Sequence, residues 1–299
     1  MATTHEIKAR IKSIKDTQKI TNAMYLIASM KMRKAKRELD QTRPFFDMVS
    51  TEIKRVFRTT EDVESRYFYP PEGAEELNGT YAYLVITADK GLAGAYNMNV
   101  LKLAEEARRR HPDVKFYVVG EYGRHYFIRR GIPVEHNFRY TAQNPSMTRA
   151  REICAVLLDA YDSGEIEKIY ILYTDLKNGM NMEARTVRVL PFHRSSFHTT
   201  TQEKKVSVPF EFVPSVEEVL DALIPSYVSG YIYSALVDSF CSEQNARMNA
   251  MSAANDNARS MIEELESQYN RVRQSAITQE ITEVTAGSRA IRQVHKENS

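Results

Sequence analysis

Near the start of the chain, positions that alternate steps of four and three hold Ile7, Ile11, Ile14, Gln18, Thr21, Tyr25, Ala28, Met32, Ala35 and Leu39. A stripe that keeps this spacing over so many turns fits neither a strand nor a short bundle helix. It is the seam of a coiled coil. The spacing predicts one long helix over residues 4–58, which at 1.5 Å per residue would span about 80 Å. Thr3 or Thr4, with Glu6 close behind, can supply the N-cap. Pro44 falls inside the pattern, so a kink or brief break is expected near Arg43, with the helix resuming from Phe45 to Phe57. The seam is polar or small at Gln18, Thr21 and Ala28, where a static dimer would carry Leu or Ile. Such residues fix register. Met24, Ile27 and Met30 lie off the seam and suit a surface whose contacts change.

A second seam runs through Val237, Cys241, Gln244, Met248, Met251, Asn255, Ala258, Ile262, Leu265, Tyr269, Val272 and Ala276. Two unpartnered seams in one chain should pair with each other. An antiparallel arrangement needs no return of the chain along the whole shaft, so antiparallel pairing is expected. The second helix, about 212–290, is longer by about twenty residues or about 30 Å, which leaves its C-terminal end projecting alone beyond Ala276.

Between the helices the pattern changes. Residues 59–80 read as an acidic, proline-bearing linker. Apolar runs at 81–87, 115–120, 168–174 and 185–192 then alternate with helical patterns at 96–110, 122–130 and 148–162, and 132–138 is a strand or loop. That alternation implies βαβ units and a mostly parallel sheet. Residues 193–211 read as a polar return linker. The fold class is therefore α/β with a long coiled coil: an antiparallel two-helix coiled coil from the chain ends (1–58 and 210–290), a central Rossmann-like α/β domain (77–195), and a tail (291–299).

The turn TADKGLAGAYN after the first strand is glycine-rich, but it is not GxGxxG, and no GxxxxGK[ST] occurs. Gly91 and Gly94 serve a tight strand-to-helix turn. Asp89 and Asp175, at two strand ends, read as turn or cap residues. There is no HExxH or GxSxG, and the seven histidines are scattered. Nothing here makes a case for catalysis, a cofactor or a bound metal. Cys154 and Cys241 are isolated, which fits two structural thiols in a reducing compartment. The longest apolar runs, YAYLVI and CAVLL, are too short to span a membrane, and Met1 leads almost directly into helix, so no targeting segment is expected. The formal net charge of +2 conceals an asymmetry: Lys8 to Arg37 holds ten basic residues and one acid, Asp16, whereas the last seventy residues hold seven bases and nine acids. A basic helix of this kind calls for an acidic partner.

Several stretches carry a family resemblance. EIKARIKSIKDTQKITNAMYLIASMKMRKAKREL is similar to the first helix of the gamma subunit of the rotary ATP synthase. TADKGLAGAYN is similar to its turn after the first central strand. SEQNARMNAMSAANDNARSMIEEL and YNRVRQSAITQEITEV resemble its final helix, with Ile277, Thr278, Glu280, Glu283 and Gly287 in the signature region. The resemblance covers nearly the whole chain, closely at both ends, and is of the bacterial type.

It implies a central shaft turning inside three alpha and three beta subunits. The foot would join an epsilon subunit and a membrane c-ring, and would couple ion flow to ATP synthesis performed by the beta subunits. It implies a non-catalytic, peripheral subunit at the cytoplasmic face of the bacterial inner membrane. It places Met24, Lys31, Arg33 and Lys34 against the levers of the beta subunits, and Arg273, Gln274, Thr278 and Glu280 against a beta-subunit loop. Two departures stand out. Ser288, Arg289 and Arg292 follow Gly287 where the family has a small apolar tip, so an apolar bearing there is not implied. The middle domain has no inserted cysteine pair, so the redox switch of the chloroplast relatives is not expected. The alternative is a basic coiled coil that binds nucleic acid or an anionic membrane surface, although Lys8–Arg37 has no interleaved aromatic platform.

Overall fold

The computed structural model describes residues 3–59, 65–68, 79–111, 113–177, 181–193, 212–213 and 215–297. Most of the two linkers read from the sequence lies outside these residues. The elements are α1 (Thr4–Thr59), β1 (Tyr81–Ile86), α2 (Tyr96–Arg110), β2 (Val114–Val119), α3 (Glu121–Arg129), α4 (Met147–Asp162), β3 (Lys168–Lys177), β4 (Asn181–Leu190) and α5 (Val216–Glu297). They fall into two compact units, residues 1–27 with 249–299, and residues 28–248.

In the first unit α1 and α5 pair antiparallel. Lys15 meets Glu266 at 2.9 Å, while Gln18 and Thr21, further along α1, meet Asn255, which is earlier in α5. The helix start is set by a reciprocal capping box. Thr3 Oγ1 accepts from the Glu6 amide at 3.3 Å, and Glu6 Oε2 accepts from the Thr3 amide at 2.9 Å. The polar seam residues face each other: Gln18 Nε2 donates to Asn255 O at 3.5 Å, and Thr21 Oγ1 donates to Asn255 Oδ1. A hydrogen-bonded layer within an apolar seam penalises any slip in register, because slipping would leave its members unpaired. The α5 seam is sheltered through Val272, but Ala276 is exposed, as is every residue from Arg273 to Ser288. Pairing therefore ends earlier than the spacing implied, because α1 begins at Thr4 and offers no surface beyond it.

In the second unit the sheet order is β2-β1-β3-β4. β1 is parallel to both β2 and β3, and β3 is antiparallel to β4. The expected mostly parallel sheet is thus mixed at one edge. Only three residues separate β3 from β4, too few for a crossover but enough for a hairpin. Alternation along β1 sends Tyr83 and Val85 to one face, against Val100, Leu101, Phe116 and Phe127. Leu84 and Ile86 point to the other face, where Ile153 and Leu157 of α4 and Ile53, Ile224 and Val228 of α1 and α5 complete the core.

The stretch 132–138 is loop, and the chain from 132 to 140 covers the outer edge of β2: Glu135 N donates to Phe116 O, and Gly120 N donates to Tyr140 O. Helix α1 runs without interruption through Pro44. Pro44 and Asp40 both lie on the exposed side, where water can serve the carbonyl that loses its amide partner. In this unit the helices again pair antiparallel, with Met32 beside Cys241 and Phe46 beside Gly230. Both cysteines are buried and free, and burial pushes each thiol up to about 12.

Candidate functional site at the strand ends

In an open α/β sheet the ligand crevice lies at the carboxyl ends of the strands, where successive connections leave in opposite directions. Here β1 connects outward to β2 while β3 lies on its other side, so that point falls between β1 and β3. Helix α5 occupies it.

The local chemistry follows from the strand ends upward. After Ile86 the chain turns toward β2, and Thr87 N donates to Val119 O at 3.0 Å. The peptide groups of Thr174 on β3 are then left without a β1 neighbour. Two α5 serines, one helical turn apart, take them up. Thr174 N donates to Ser239 Oγ at 3.2 Å, and Ser242 Oγ donates to Thr174 O at 3.2 Å. These serines do the work of a missing strand. Ala246 packs with Ala88, Ala93 and Tyr96 at the β1–α2 turn, and Tyr96 also hydrogen-bonds Ser239. Arg247 Nη2 donates to Gly91 O at 3.1 Å. One turn earlier, Glu243 is fully buried, with Oε1 2.7 Å from Arg247 Nη1. That pair is off the hydrogen-bond line, so neither oxygen of Glu243 accepts a well-directed bond. Burial pushes its carboxyl above the ordinary range, while Arg247 and Lys31 oppose the shift.

The helix N-terminus that could receive a phosphate is filled by the chain itself. The amides at the start of α3 are taken by the end of β1. Glu121 N donates to Asp89 Oδ1 at 3.1 Å, Tyr122 N to Ala88 O at 3.1 Å, and Gly123 N to Thr87 Oγ1 at 3.0 Å. Asp89 also accepts from Ala142 N at 3.3 Å and from Thr141 Oγ1. It is the helix cap, as its place in the turn suggests, and its carboxylate stands where a bound anion would. Gly94, at φ 54°, supplies the left-handed residue of the preceding turn; Gly91 does not, and Leu92 at φ 62° takes that conformation instead. Asp175 pairs with Arg185 across the β3–β4 ladder at 2.6 Å.

Asp238 lies just before this crevice on α5. Burial pushes its carboxyl up to about 6, nearby Asp175 adds to the push, and Ser234 and Arg43 oppose it. A raised pKa means the folded chain prefers the protonated form. The penalty is absent below about pH 4, grows as pH rises to about 6 and is complete above that. Its ceiling is about 3 kcal/mol, so Asp238→Asn is expected to gain about 1–2 kcal/mol at about pH 8 after desolvation of the new amide. Urea unfolding across that range is the measurement. A variant no more stable than the parent in mild alkali would show that the carboxylate carries no such penalty.

The residues singled out by the resemblance are not gathered into one place. Met24 is half-buried. Lys31 is turned inward, its Nζ donating to Gln143 Oε1 at 3.2 Å. Arg33 is exposed and bonds back to Ser29, and exposed Lys34 faces Glu38 at 3.8 Å. Arg273, Gln274, Thr278 and Glu280 are all exposed on the unpaired part of α5, with the Thr278 hydroxyl donating to Gln274 O at 2.9 Å. Ile277, Ile281 and Val284 also stand exposed there, at spacings of four and three. The crevice residues Ser239, Ser242, Glu243 and Arg247 were not picked out individually from the sequence. The available signal was a Glu and an Arg four apart inside an otherwise uncharged helical stretch.

Residues 3–291 match the family model described as ATP synthase. The chain belongs to the ATP synthase gamma-chain family. The ATP synthase gamma chain of Caldanaerobacter subterraneus subsp. tengcongensis is 42% identical over 291 residues, covering 95% of this chain and 98% of the relative. The sodium-ion-specific gamma chain of Acetobacterium woodii is 35% identical over 300 residues, covering 96% and 98%. Among solved structures, a chain of the rotor of the Euglena gracilis mitochondrial ATP synthase shares the fold with a TM-score of 0.62 at 14% identity, over 92% of this gamma-family chain and 98% of that one. Neither the family match nor these relatives support the alternative of a nucleic-acid or membrane-surface binder. Among the described residues no helix is long and apolar enough to cross a membrane, and no group of three or more His, Cys, Asp or Glu could hold a metal.

Proposed function

We propose that the chain is the central rotating shaft of an ion-translocating ATP synthase, itself non-catalytic, coupling ion flow through a membrane c-ring to conformational change in three alpha and three beta subunits. One observation carries the reading. The crevice that would serve a ligand in a Rossmann-like domain is filled by α5, so the central domain is fastened to a shaft helix instead of being open to substrate. A foot fixed in this way can pass torque to the helix it grips. The epsilon subunit and the c-ring are its partners at the foot, and the complex sits at the cytoplasmic face of the bacterial inner membrane.

On this reading Met24, Arg33 and Lys34 meet the levers of the beta subunits. Lys31, held by Gln143, contributes charge more than contact. The exposed Arg273, Gln274, Thr278 and Glu280 grip a beta-subunit loop where α5 has no partner helix. Exposed ion pairs contribute only about 0.2–1 kcal/mol each, so steric pushing carries most of the torque. Lys31→Ala and Arg33→Ala are therefore each expected to weaken coupling without abolishing rotation. Single-molecule rotation of the assembled complex tests this, and complete loss of torque from either change would refute the steric reading. Co-purification tests the assignment itself: the chain should assemble with alpha and beta subunits into a complex that hydrolyses ATP.

A further inference from the structure

The last turns of α2 and α3 bring five arginines to one end of the central domain, the end opposite the strand termini gripped by α5. They are Arg108, Arg109 and Arg110 on α2, and Arg129 and Arg130 at the end of α3. All five are exposed, and none of the cations in this group is a lysine. The acids of the preceding α2 turn are Glu105 and Glu106, which leaves a surplus of three positive charges. Helix C-termini attract cations, but each is equivalent to only about half a negative charge. Two helix ends therefore account for about one of the three, and the rest is unspent.

The surplus is concave. Arg108, Arg109 and Arg130 line a cleft of about 630 Å³ with Glu105 and Ile132. Arg130 is held in place within it. Its guanidinium lies 4.5 Å over the Tyr126 ring and pairs with Glu105 at 2.5 Å, and the Tyr126 hydroxyl donates to the same carboxylate at 2.6 Å. Arg109 reaches Glu105 only at 4.0 Å, and Arg108 has no ion pair among the described residues. One carboxylate thus orders a fork of guanidiniums without neutralising it.

We infer that this cleft binds a phosphate-bearing anion. Guanidinium forks match both carboxylate and phosphate. A carboxylate, though, offers two oxygens to three guanidiniums and would stand beside Glu105 with nothing to spare. A phosphoryl group offers three acceptor oxygens and up to two charges. The anion is a free phosphate compound or a lipid headgroup, and the two are separable by experiment. The site does not depend on the shaft contacts and adds a ligand to the foot.

The test is the rate of phenylglyoxal modification at each arginine of the assembled complex, read by peptide mass spectrometry with inorganic pyrophosphate, with vesicles containing phosphatidic acid, or with neither. Because the readout is resolved by residue, nucleotide sites on other subunits do not enter it. Pyrophosphate at ten times its dissociation constant is expected to slow Arg108, Arg109 and Arg130 about tenfold, and added salt to reverse the protection. The exposed Arg139 and Arg151 of the same domain should be unaffected. Protection by vesicles and not by pyrophosphate assigns the source to lipid; protection by pyrophosphate alone assigns it to a soluble phosphate. Equal protection by citrate, or protection by neither phosphate source, overturns the inference. In the Arg108→Gln/Arg130→Gln double variant, protection of Arg109 should be lost; its persistence would also overturn the inference.

Discussion

Replacing Arg247 by leucine should cost the chain about 3–5 kcal/mol, the loss expected when one partner of a buried ion pair is removed and the other stays behind. Glu243 would remain enclosed with only the more distant Lys31 to oppose its charge, and Gly91 O would lose its donor. Part of the penalty would be relieved by proton uptake at Glu243, whose carboxyl already sits above the ordinary range because of burial. The paired change Glu243→Leu/Arg247→Leu should recover most of the loss, since two apolar groups of similar volume need no partners. A double-mutant cycle in urea separates this from simple loss of packing. If the two single losses add, the residues do not act as a pair. In the assembled complex Arg247→Leu should also reduce coupling more than Arg33→Ala does, because it loosens the foot from the shaft instead of trimming a surface contact.

How far the sequence could be read depends on how far apart the interacting residues lie. The α1 seam from Ile7 to Leu39 could be read because each member is three or four residues from the next, and none of these positions is exposed in the structure. The α5 seam held through Val272 for the same reason. It failed at Ala276 because the end of the pairing is set by where α1 starts, a fact held elsewhere in the chain. The N-terminal part of α5 carries no clean stripe. Leu220, Ile224, Val228, Ile232, Tyr233 and Leu236 are buried on more than one side against the central domain, which blurs any single periodicity. Of the kink or brief break expected at Pro44 the break is absent, because the rule cannot tell a solvated carbonyl from a buried one. The crevice was beyond reach. Thr174 and Ser239, or Gly91 and Arg247, are joined only by the tertiary fold, and no local spacing announces them.

The absence of phosphate-loop motifs acquires a physical meaning once the crevice is seen. The β1–α2 turn keeps a glycine in the left-handed region, but the crevice beside it is taken by Ser239 and Arg247, and the α3 N-terminus by the chain's own Asp89. Such a domain has given its binding site to an internal helix. A fold that usually closes on a nucleotide closes here on a shaft, and its specificity is met by serine hydroxyls and one guanidinium.

The second large effect is expected at Gly230, where the Phe46 ring of α1 packs directly on α5. A Cβ at this position would overlap the Phe46 ring of α1, so the absence of a side chain is what lets the ring sit on the α5 backbone. Gly230 is buried, and the adjoining Ser229, Ile232 and Tyr233 are buried as well, leaving little room for the ring to move. Gly230→Val should therefore cost about 3 kcal/mol or more through overpacking, outweighing the gain of roughly 0.3–0.5 kcal/mol in helix propensity that valine brings over a mid-helix glycine. Gly230→Ala should show the competition directly, with a smaller net loss. Combining either change with Phe46→Ala should restore part of the stability, because the cavity left by the ring accepts the new methyl groups. Thermal unfolding of the single and double variants is the measurement. If Phe46→Ala fails to offset Gly230→Val at all, the ring is not what the glycine accommodates, and the close approach of the helices must have another cause.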